Sequence, residues 1–128
     1  MPIHETPPPL HELETEVMDE VWDRGRATVH QVRDAINARS SKERAYTTVM
    51  TVMTRLVDKG LLQRERDGRH HVYVPVLERA DYLDARARSA VSALVQKYGD
   101  YALTHFAAQM AGLDAKRRQK LQRMARRG

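Results

Sequence analysis

The 128-residue sequence contains no cysteine. Disulfide scaffolds, cysteine-based zinc sites, thiol redox chemistry and cysteine nucleophiles are therefore excluded. No apolar stretch approaches the roughly 20 residues that span a bilayer, and the first residues lack the basic, apolar and small-residue pattern of a signal peptide. We therefore expect a cytoplasmic protein.

Motifs of catalysis and metal binding are missing as well. The sequence has no P-loop, no nucleophile elbow, no glycine-rich dinucleotide fingerprint and no paired-carboxylate arrangement. None of its histidines has a second histidine at the i, i+4 spacing of a helical metal site. We expect no enzymatic activity, no metal and no cofactor.

The formal net charge is +5, but it is unevenly distributed. The first 60 residues carry 8 Lys and Arg against 10 Asp and Glu, whereas residues 113–128 carry 7 against 1. We interpret this basic segment first as a solvated end, with DNA phosphates or an acidic partner as alternatives. Evidence for nucleic-acid binding by the rest of the chain must therefore come from local motifs.

Hydrophobic periodicity predicts three helices after an extended, proline-rich arm over residues 1–9, which should add little to the core. The first runs from Leu10 to Asp23, and the second begins at Thr28 with a capping box completed by Gln31. The third runs from about Ala45 or Tyr46 to Lys59 and closes with a Schellman-type end at Gly60-Leu61. The outer face of the first helix is predicted to be acidic, with Glu12, Glu14, Glu16, Asp19, Glu20 and Asp23.

A hairpin is predicted next, with strands Leu61–Arg66 and Arg69–Val74 around a type I′ turn at Asp67-Gly68. This register places Arg66 opposite Arg69, and Arg64 opposite His71. Like charges directly across a ribbon are destabilising, and an anion such as a DNA phosphate would remove the penalty. A solvated hairpin with splayed arginines is the alternative interpretation.

Three helices followed by a hairpin are typical of a winged helix-turn-helix, in which the third helix enters the major groove. We therefore predict a mainly α fold with a small β wing, comprising a DNA-binding domain at residues 10–76 and a helical dimerisation domain at 77–128. The exposed face of the third helix carries four threonines, which gain nothing from water. A merely polar face explains them equally well. The candidate DNA-binding residues are Tyr46, Thr47, Thr48, Met50, Thr51, Thr54, Arg55, Arg64, Arg66, Arg69 and His71.

Helices beyond the wing also carry apolar stripes, and a small winged domain has little surface left to bury them. Self-association is the economical solution, because a two-fold dimer buries identical stripes and matches a palindromic operator. Folding back within one chain is the alternative. The candidate dimerisation residues are Leu83, Ala87, Val91, Leu94, Tyr98, Leu103, Phe106 and Met110.

Several of these residues resemble the BlaI/MecI penicillinase-repressor family. They are Glu16-Val17-Met18 and Trp22, the run Ala45 to Thr51 leading to Arg55-Leu56, Gly60-Leu61, and Asp81-Tyr82. The resemblance covers about Leu10 to Met124. It implies a homodimer that represses β-lactamase or related cell-wall genes from dyad operators, with base readout by the residues matching Thr47, Thr48, Met50, Thr51 and Arg55.

The resemblance also implies induction by proteolysis through a membrane-bound sensor metalloprotease. Family members are cut at an Asn-Phe bond, and the matching place here is His105-Phe106, with histidine replacing asparagine. Thr47 and Met50 stand where staphylococcal-type members have basic residues, which indicates an actinobacterial-type branch.

Two other classes of function stay open. One is a ligand-responsive winged-helix regulator, in which a small molecule shifts DNA affinity. The other is a non-DNA interaction module whose basic tail binds RNA or membrane.

Overall fold

The computed structural model describes residues 6–127 and divides into unit 1, Met1–Ala87, and unit 2, Arg88–Gly128. The elements are mostly helical, with one two-stranded antiparallel sheet, as predicted. No helix within the described residues is long and apolar enough to cross a membrane. In chain order the elements are α1 (Glu12–Arg24), α2 (Val29–Arg39), α3 (Tyr46–Asp58), β1 (Leu62–Asp67), β2 (His70–Pro75), α4 (Arg79–Tyr98), α5 (Asp100–Ala111) and α6 (Ala115–Arg127).

The core of unit 1 is built from the apolar stripes of α1, α2 and α3, as their periodicity predicts. Strand residues Leu62 and Tyr73 complete it, and Tyr82 of α4 joins it. Leu77 also packs against this core, so the chain just beyond the wing belongs to unit 1. The fully or nearly fully buried helix residues are Val17, Met18, Val21, Val29, Val32, Ile36, Val49, Val52, Met53 and Leu56.

Local capping fixes both ends of the helix-turn-helix as predicted. Thr28 Oγ1 accepts a hydrogen bond from Gln31 N–H at 3.2 Å, and Gln31 Oε1 accepts one from Thr28 N–H at 2.9 Å. At the end of α3, Leu61 N–H donates to Leu56 O and Gly60 N–H donates to Val57 O, which is the Schellman pattern. Gly60 has φ +79°, a conformation that glycine adopts without strain.

The predicted acidic face of α1 is wrong at two of its positions. Glu14 is 2% exposed and Glu20 is 8% exposed. Glu14 accepts from His11 N–H at 3.0 Å and from Lys59 Nζ at 2.8 Å. Glu20 lies 2.6 Å from Arg24 Nε and 2.7 Å from Arg39 Nη1. These carboxylates join α1 to the end of α3 and to α2, because buried charges require partners.

Both buried carboxylates have lowered pKa values. Burial raises the pKa of the Glu14 carboxyl, but the hydrogen bonds from His11 N–H and Lys59, and the positive charge of Lys59, more than offset that effect. The same opposition acts at Glu20, where Arg39 and Arg24 bring the pKa below its ordinary value. A lowered pKa in the folded protein means that the ionised pair stabilises the fold near neutral pH. This contribution is lost as the pH falls through the lowered value.

Glu14→Gln is therefore expected to lower the free energy of unfolding by about 1–3 kcal/mol near neutral pH, because Lys59 loses its anionic partner. The difference from the unmodified protein should shrink in acid, at a pH below the lowered pKa of Glu14, where its carboxyl is itself protonated. Urea unfolding at both pH values measures the effect, with Glu16→Gln on the same helix as control. A pH-independent difference would contradict the ion-pair assignment.

The wing forms as a hairpin, but its turn lies one residue further along the chain than predicted, so every predicted cross-strand partner is wrong by two residues. Arg66 pairs with His71, Asp67 with His70, and Arg64 with Tyr73. The turn residues are Gly68 and Arg69, and among them only Gly68 has positive φ, at +65°. This is the type II′ pattern, with glycine at the first central position. Asp67 keeps a negative φ and pairs with His70 as the last residue of β1.

A backbone bridge that the sequence did not indicate anchors the wing to the helices. Ala27 N–H donates to Tyr73 O at 3.0 Å, and Tyr73 N–H donates to Ala27 O at 2.8 Å. Ala27 lies between α1 and α2, so it acts as a short third strand beside β2. The bridge fixes the wing next to the beginning of α2.

The predicted arm falls partly outside the described residues, and its described part, residues 6–9, contributes backbone hydrogen bonds to α4 and no side chain to the core cluster. Pro7 and Pro8 are half-buried. Tyr82 Oη donates to Pro8 O at 2.8 Å, and Arg86 Nη1 donates to Pro7 O at 3.1 Å. The Tyr82 ring also lies 5.5 Å from that of Trp22. The arm is therefore attached to α4 beside the core.

Candidate DNA-binding surface

The outer face of α3 carries the predicted recognition residues, and all but Tyr46 are exposed. The core stripe holds the opposite face in place, so these side chains project away from unit 1. Hydroxyls, a thioether and one guanidinium therefore share a single helix face, and no carboxylate interrupts it between Tyr46 and Leu56. The exposed residues are Thr47, Thr48, Met50, Thr51, Thr54 and Arg55.

Two shallow grooves flank this face of α3. Thr47, Thr48, Thr51 and Arg55 line the first, together with α1 residues such as Leu13. Glu14 also borders this groove, but Lys59 and the His11 N–H engage its carboxylate. The recognition candidates on this side therefore face little uncompensated negative charge.

The second groove lies between α3 and the wing. Tyr46, Met50 and Thr54 line its α3 side. None of the residues that the structure places along it is acidic, although the first 60 residues are net acidic. Its other lining residues come from the beginning of α2 and from the wing: Thr28, Val29, His30, Arg64, Arg69, His70, His71 and Tyr73.

The wing candidates divide between this groove and the turn. Arg64, Arg69 and His71 line the groove, as a shared DNA-facing surface requires. Arg66 does not line it, and its Nε donates to Gly68 O at 3.2 Å. The predicted oppositions of Arg66 with Arg69 and of Arg64 with His71 are wrong, because the type II′ turn shifts the register. Arg64 and Arg69 therefore lie close to each other because they line the same groove, and not because they pair directly across the strands.

Tyr46 differs from the other α3 candidates because its ring is half-buried. The ring lies 4.5 Å from that of His30, centroid to centroid, and Arg33 Cζ lies 6.0 Å from the Tyr46 centroid. Tyr46 therefore packs the beginning of α3 against α2. Its role in the structure is to position α3 against α2 as well as to line the groove.

Sequence reasoning missed residues that hold α3 in place or border its grooves. Asn37 Oδ1 accepts from Arg44 N–H at 2.7 Å, and Asn37 Nδ2 donates to Arg44 O at 3.0 Å, so one side chain clamps the α2–α3 loop. His30 and His70 line the groove beside the wing. An asparagine near a helix end is a sequence signal for such a clamp. No sequence signal marked His30 and His70, because their place beside the groove depends on the register of the hairpin.

This arrangement suits a polyanionic duplex. Threonine hydroxyls and arginines contact phosphates and base edges, and methyl groups contact thymine methyls. The structure places no group of three or more His, Asp or Glu side chains in residues 6–127 where they could hold a metal ion.

Unit 2 exposes much of its apolar surface. Neither α5 nor α6 contains a buried residue. Val91 and Leu94 are each 43% exposed, Tyr98 is 50% exposed and Tyr101, which sequence reasoning missed, is 82% exposed. Leu103 is exposed as well, while Phe106 and Met110 are half-buried; Leu83 and Ala87 are exposed on the part of α4 that belongs to unit 1. An open apolar groove is lined by Leu94, Tyr98, Tyr101, Ala102, His105 and Phe106.

The family model of the penicillinase repressor matches residues 10–127. The chain belongs to the penicillinase repressor family. Membership confirms the predicted family, and with it a DNA-binding transcriptional repressor on a winged helix-turn-helix fold.

Individual members of the penicillinase repressor family agree with this assignment. The transcriptional regulator BlaI of Mycobacterium tuberculosis is 40% identical over 112 residues, covering 83% of this chain and 77% of the relative. The penicillinase repressor of Bacillus licheniformis is 28% identical over 82 residues, covering 64% of this chain and 62% of the relative. The higher identity to a mycobacterial protein confirms the actinobacterial-type branch.

A solved structure in the penicillinase repressor family has DNA bound. It is the solution structure of monomeric Bacillus licheniformis BlaI in complex with the blaP half-operator. It superimposes with a TM-score of 0.50 at 29% identity and covers 59% of this chain and 90% of that one. The named relatives are transcriptional regulators.

Proposed function

We propose that this repressor binds dyad operators as a homodimer in the cytoplasm, with one α3 in the major groove of each half-site. The observation that carries the proposal is the outer face of α3, which exposes Thr47, Thr48, Thr51 and Arg55 on one side and borders an acid-free groove on the other. A helix face of hydroxyls fits the phosphates of a major groove when one flanking groove is acid-free and the one carboxylate along the other, Glu14, is paired with Lys59.

The related BlaI supports the half-site geometry. That protein binds the blaP half-operator as a monomer. If one winged domain reads one half-site, a dyad accommodates two copies related by the same two-fold symmetry. We infer that Arg64, Arg69 and His71 of the wing contact the flanking phosphates, since they share a groove with α3.

The surface of unit 2 supports self-association. The exposed side chains of Val91, Leu94 and Tyr98 lie along α4, and Leu103 lies on α5. Large side chains left half-exposed within a small unit mark an interaction surface. A second copy of the chain buries the same stripe on both sides, which gives a closed two-fold interface.

Operator binding is tested directly by titrating the unmodified protein with its own promoter and with an unrelated duplex of equal length. We expect the promoter to bind at least about 1,000-fold more tightly at physiological salt, as specific sites typically do. Affinity for both duplexes should fall steeply with salt. Equal affinities would contradict specific repression. Mapping the bound genomic sites then checks whether the targets are β-lactamase or cell-wall genes.

The proposal extends to induction by proteolysis at His105-Phe106. Both residues lie inside α5, where His105 is exposed and Phe106 is half-buried. A peptide bond within a helix reaches a protease only after local unwinding. We expect co-expression with the sensor metalloprotease to yield a fragment ending at His105, identified by mass spectrometry, and Phe106→Ala to abolish it. Intact protein under inducing conditions would contradict this step.

A further inference from the structure

The helix α6 has the most concentrated charge in the chain. Its 13 residues include seven Lys or Arg and no Asp or Glu. The neighbouring Asp114 serves as a helix cap, because its Oδ1 accepts from Arg117 N–H at 2.9 Å. The surplus positive charge of the whole chain is thus located on a helix outside the winged domain.

One of the seven cations is used within unit 2. Arg118 is half-buried, and its guanidinium donates to Met110 O at 3.2 Å and to Leu113 O at 2.7 Å. It therefore closes the carboxyl end of α5. The other six are exposed, and within the described part of the chain none of them makes an ion pair: Lys116, Arg117, Lys120, Arg123, Arg126 and Arg127.

Four of these cations lie together. Lys116, Arg117, Lys120 and Arg123 line one shallow surface groove beside Asp114. Lys116 and Lys120 have the i, i+4 spacing, and Lys120 and Arg123 have the i, i+3 spacing, so like charges are neighbours on the helix surface. Such pairs destabilise a helix by a few tenths of a kcal/mol each. A polyanion along this face would remove that repulsion.

We propose that α6 is a second DNA-contacting surface, which binds the phosphate backbone without reading sequence. This inference rests on the proposed DNA-binding function, and it supplies the positive field that the net acidic first 60 residues lack. An anionic membrane fits less well. Interfacial helices present a broad apolar face with Trp, Phe or Leu, whereas α6 has no aromatic residue and its Leu121 is already half-buried.

The test neutralises the four grouped cations in the full-length chain, with Lys116, Arg117, Lys120 and Arg123 all changed to Gln. The matched control keeps the charge by exchanging Lys and Arg at the same positions. Affinities for the promoter and for an unrelated duplex are measured over a salt series. The glutamine variant should show a plot of log affinity against log salt that is shallower by about 2 to 4 for each protomer bound, since each phosphate contact contributes about 0.9.

Both duplexes should lose affinity by similar factors, so the preference for the promoter should be unchanged. The control should match the unmodified protein. An unchanged salt slope in the glutamine variant would overturn the proposal. So would its sedimentation as a smaller species than the control, which would assign the cations to assembly. Binding of the unmodified protein to phosphatidylserine vesicles at about 0.15 M salt, lost in the glutamine variant while the DNA slope stays unchanged, would assign α6 to membranes.

These outcomes are separable from failure of the proposed function. If the unmodified protein showed no preference for its promoter, specific repression would be wrong. The salt slopes of the two variants on unrelated DNA would still decide whether α6 contacts phosphates.

Discussion

Replacing Thr48 and Arg55 together with alanine is expected to weaken operator binding by about 100-fold. Both side chains are exposed on α3 and line the same groove, so their loss removes contacts to DNA without disturbing the core. A good base contact is worth about 1–3 kcal/mol of discrimination, and each 1.4 kcal/mol corresponds to about tenfold in affinity. Gel-shift titration against the promoter measures the loss.

The matched control removes one threonine and one cation elsewhere, as Lys97→Ala with Thr104→Ala, both exposed in unit 2. This control should bind the operator as the unmodified protein does. Thermal unfolding followed by circular dichroism should be unchanged in both variants. If the Thr48 and Arg55 variant kept full operator affinity, α3 would not be the reading helix.

Leu94→Asp is expected to convert the protein to monomers and to reduce binding of a full dyad to the level of a half-site. Leu94 is 43% exposed and lines the apolar groove with Tyr98 and Phe106. A carboxylate there would have to be desolvated in the dimer without a partner, which is strongly unfavourable. Because linking two binding modules raises affinity by about 100- to 10,000-fold, the loss on a dyad should be of that order.

Sedimentation at micromolar concentration gives the oligomeric state, and titration with dyad and half-site duplexes gives the affinities. Gln96→Asp, an exposed position on the same helix, adds the same charge away from the apolar stripe and should remain dimeric. Half-site affinity should be similar in all three proteins. A monomeric unmodified protein at micromolar concentration would refute the dimer.

The α helices of unit 1 were predictable because their signals are local. The Thr28–Gln31 capping box, the Gly60-Leu61 closure and the core stripes each depend on residues within one or two turns. The exposed face of α3 follows from the same periodicity, since fixing the buried stripe also fixes the side that faces outward. The candidate reading residues could therefore be named before the fold was known.

The wing shows where local signals fail. Asp67-Gly68 and Gly68-Arg69 are both two-residue turns containing one glycine, and they differ in position by a single residue. The backbone bridge between Ala27 and Tyr73 holds β2 from outside the hairpin, and within the hairpin Gly68 alone takes positive φ. Moving the turn by one residue moves each cross-strand partner by two, so Arg64 lies opposite Tyr73 and Arg66 lies opposite His71.

The sequence by itself determined the winged helix-turn-helix, the outward face of α3 and the concentration of positive charge in the last helix. Each of these features depends on residues that are close together along the chain. Only the tertiary structure decided that Glu14 and Glu20 are buried ion-pair partners, and that Arg64, Arg69 and His71 border α3 in an acid-free groove. Those features depend on packing between segments distant along the chain. The charge and spacing of residues within one helix do not specify which other element will pack against each face of that helix.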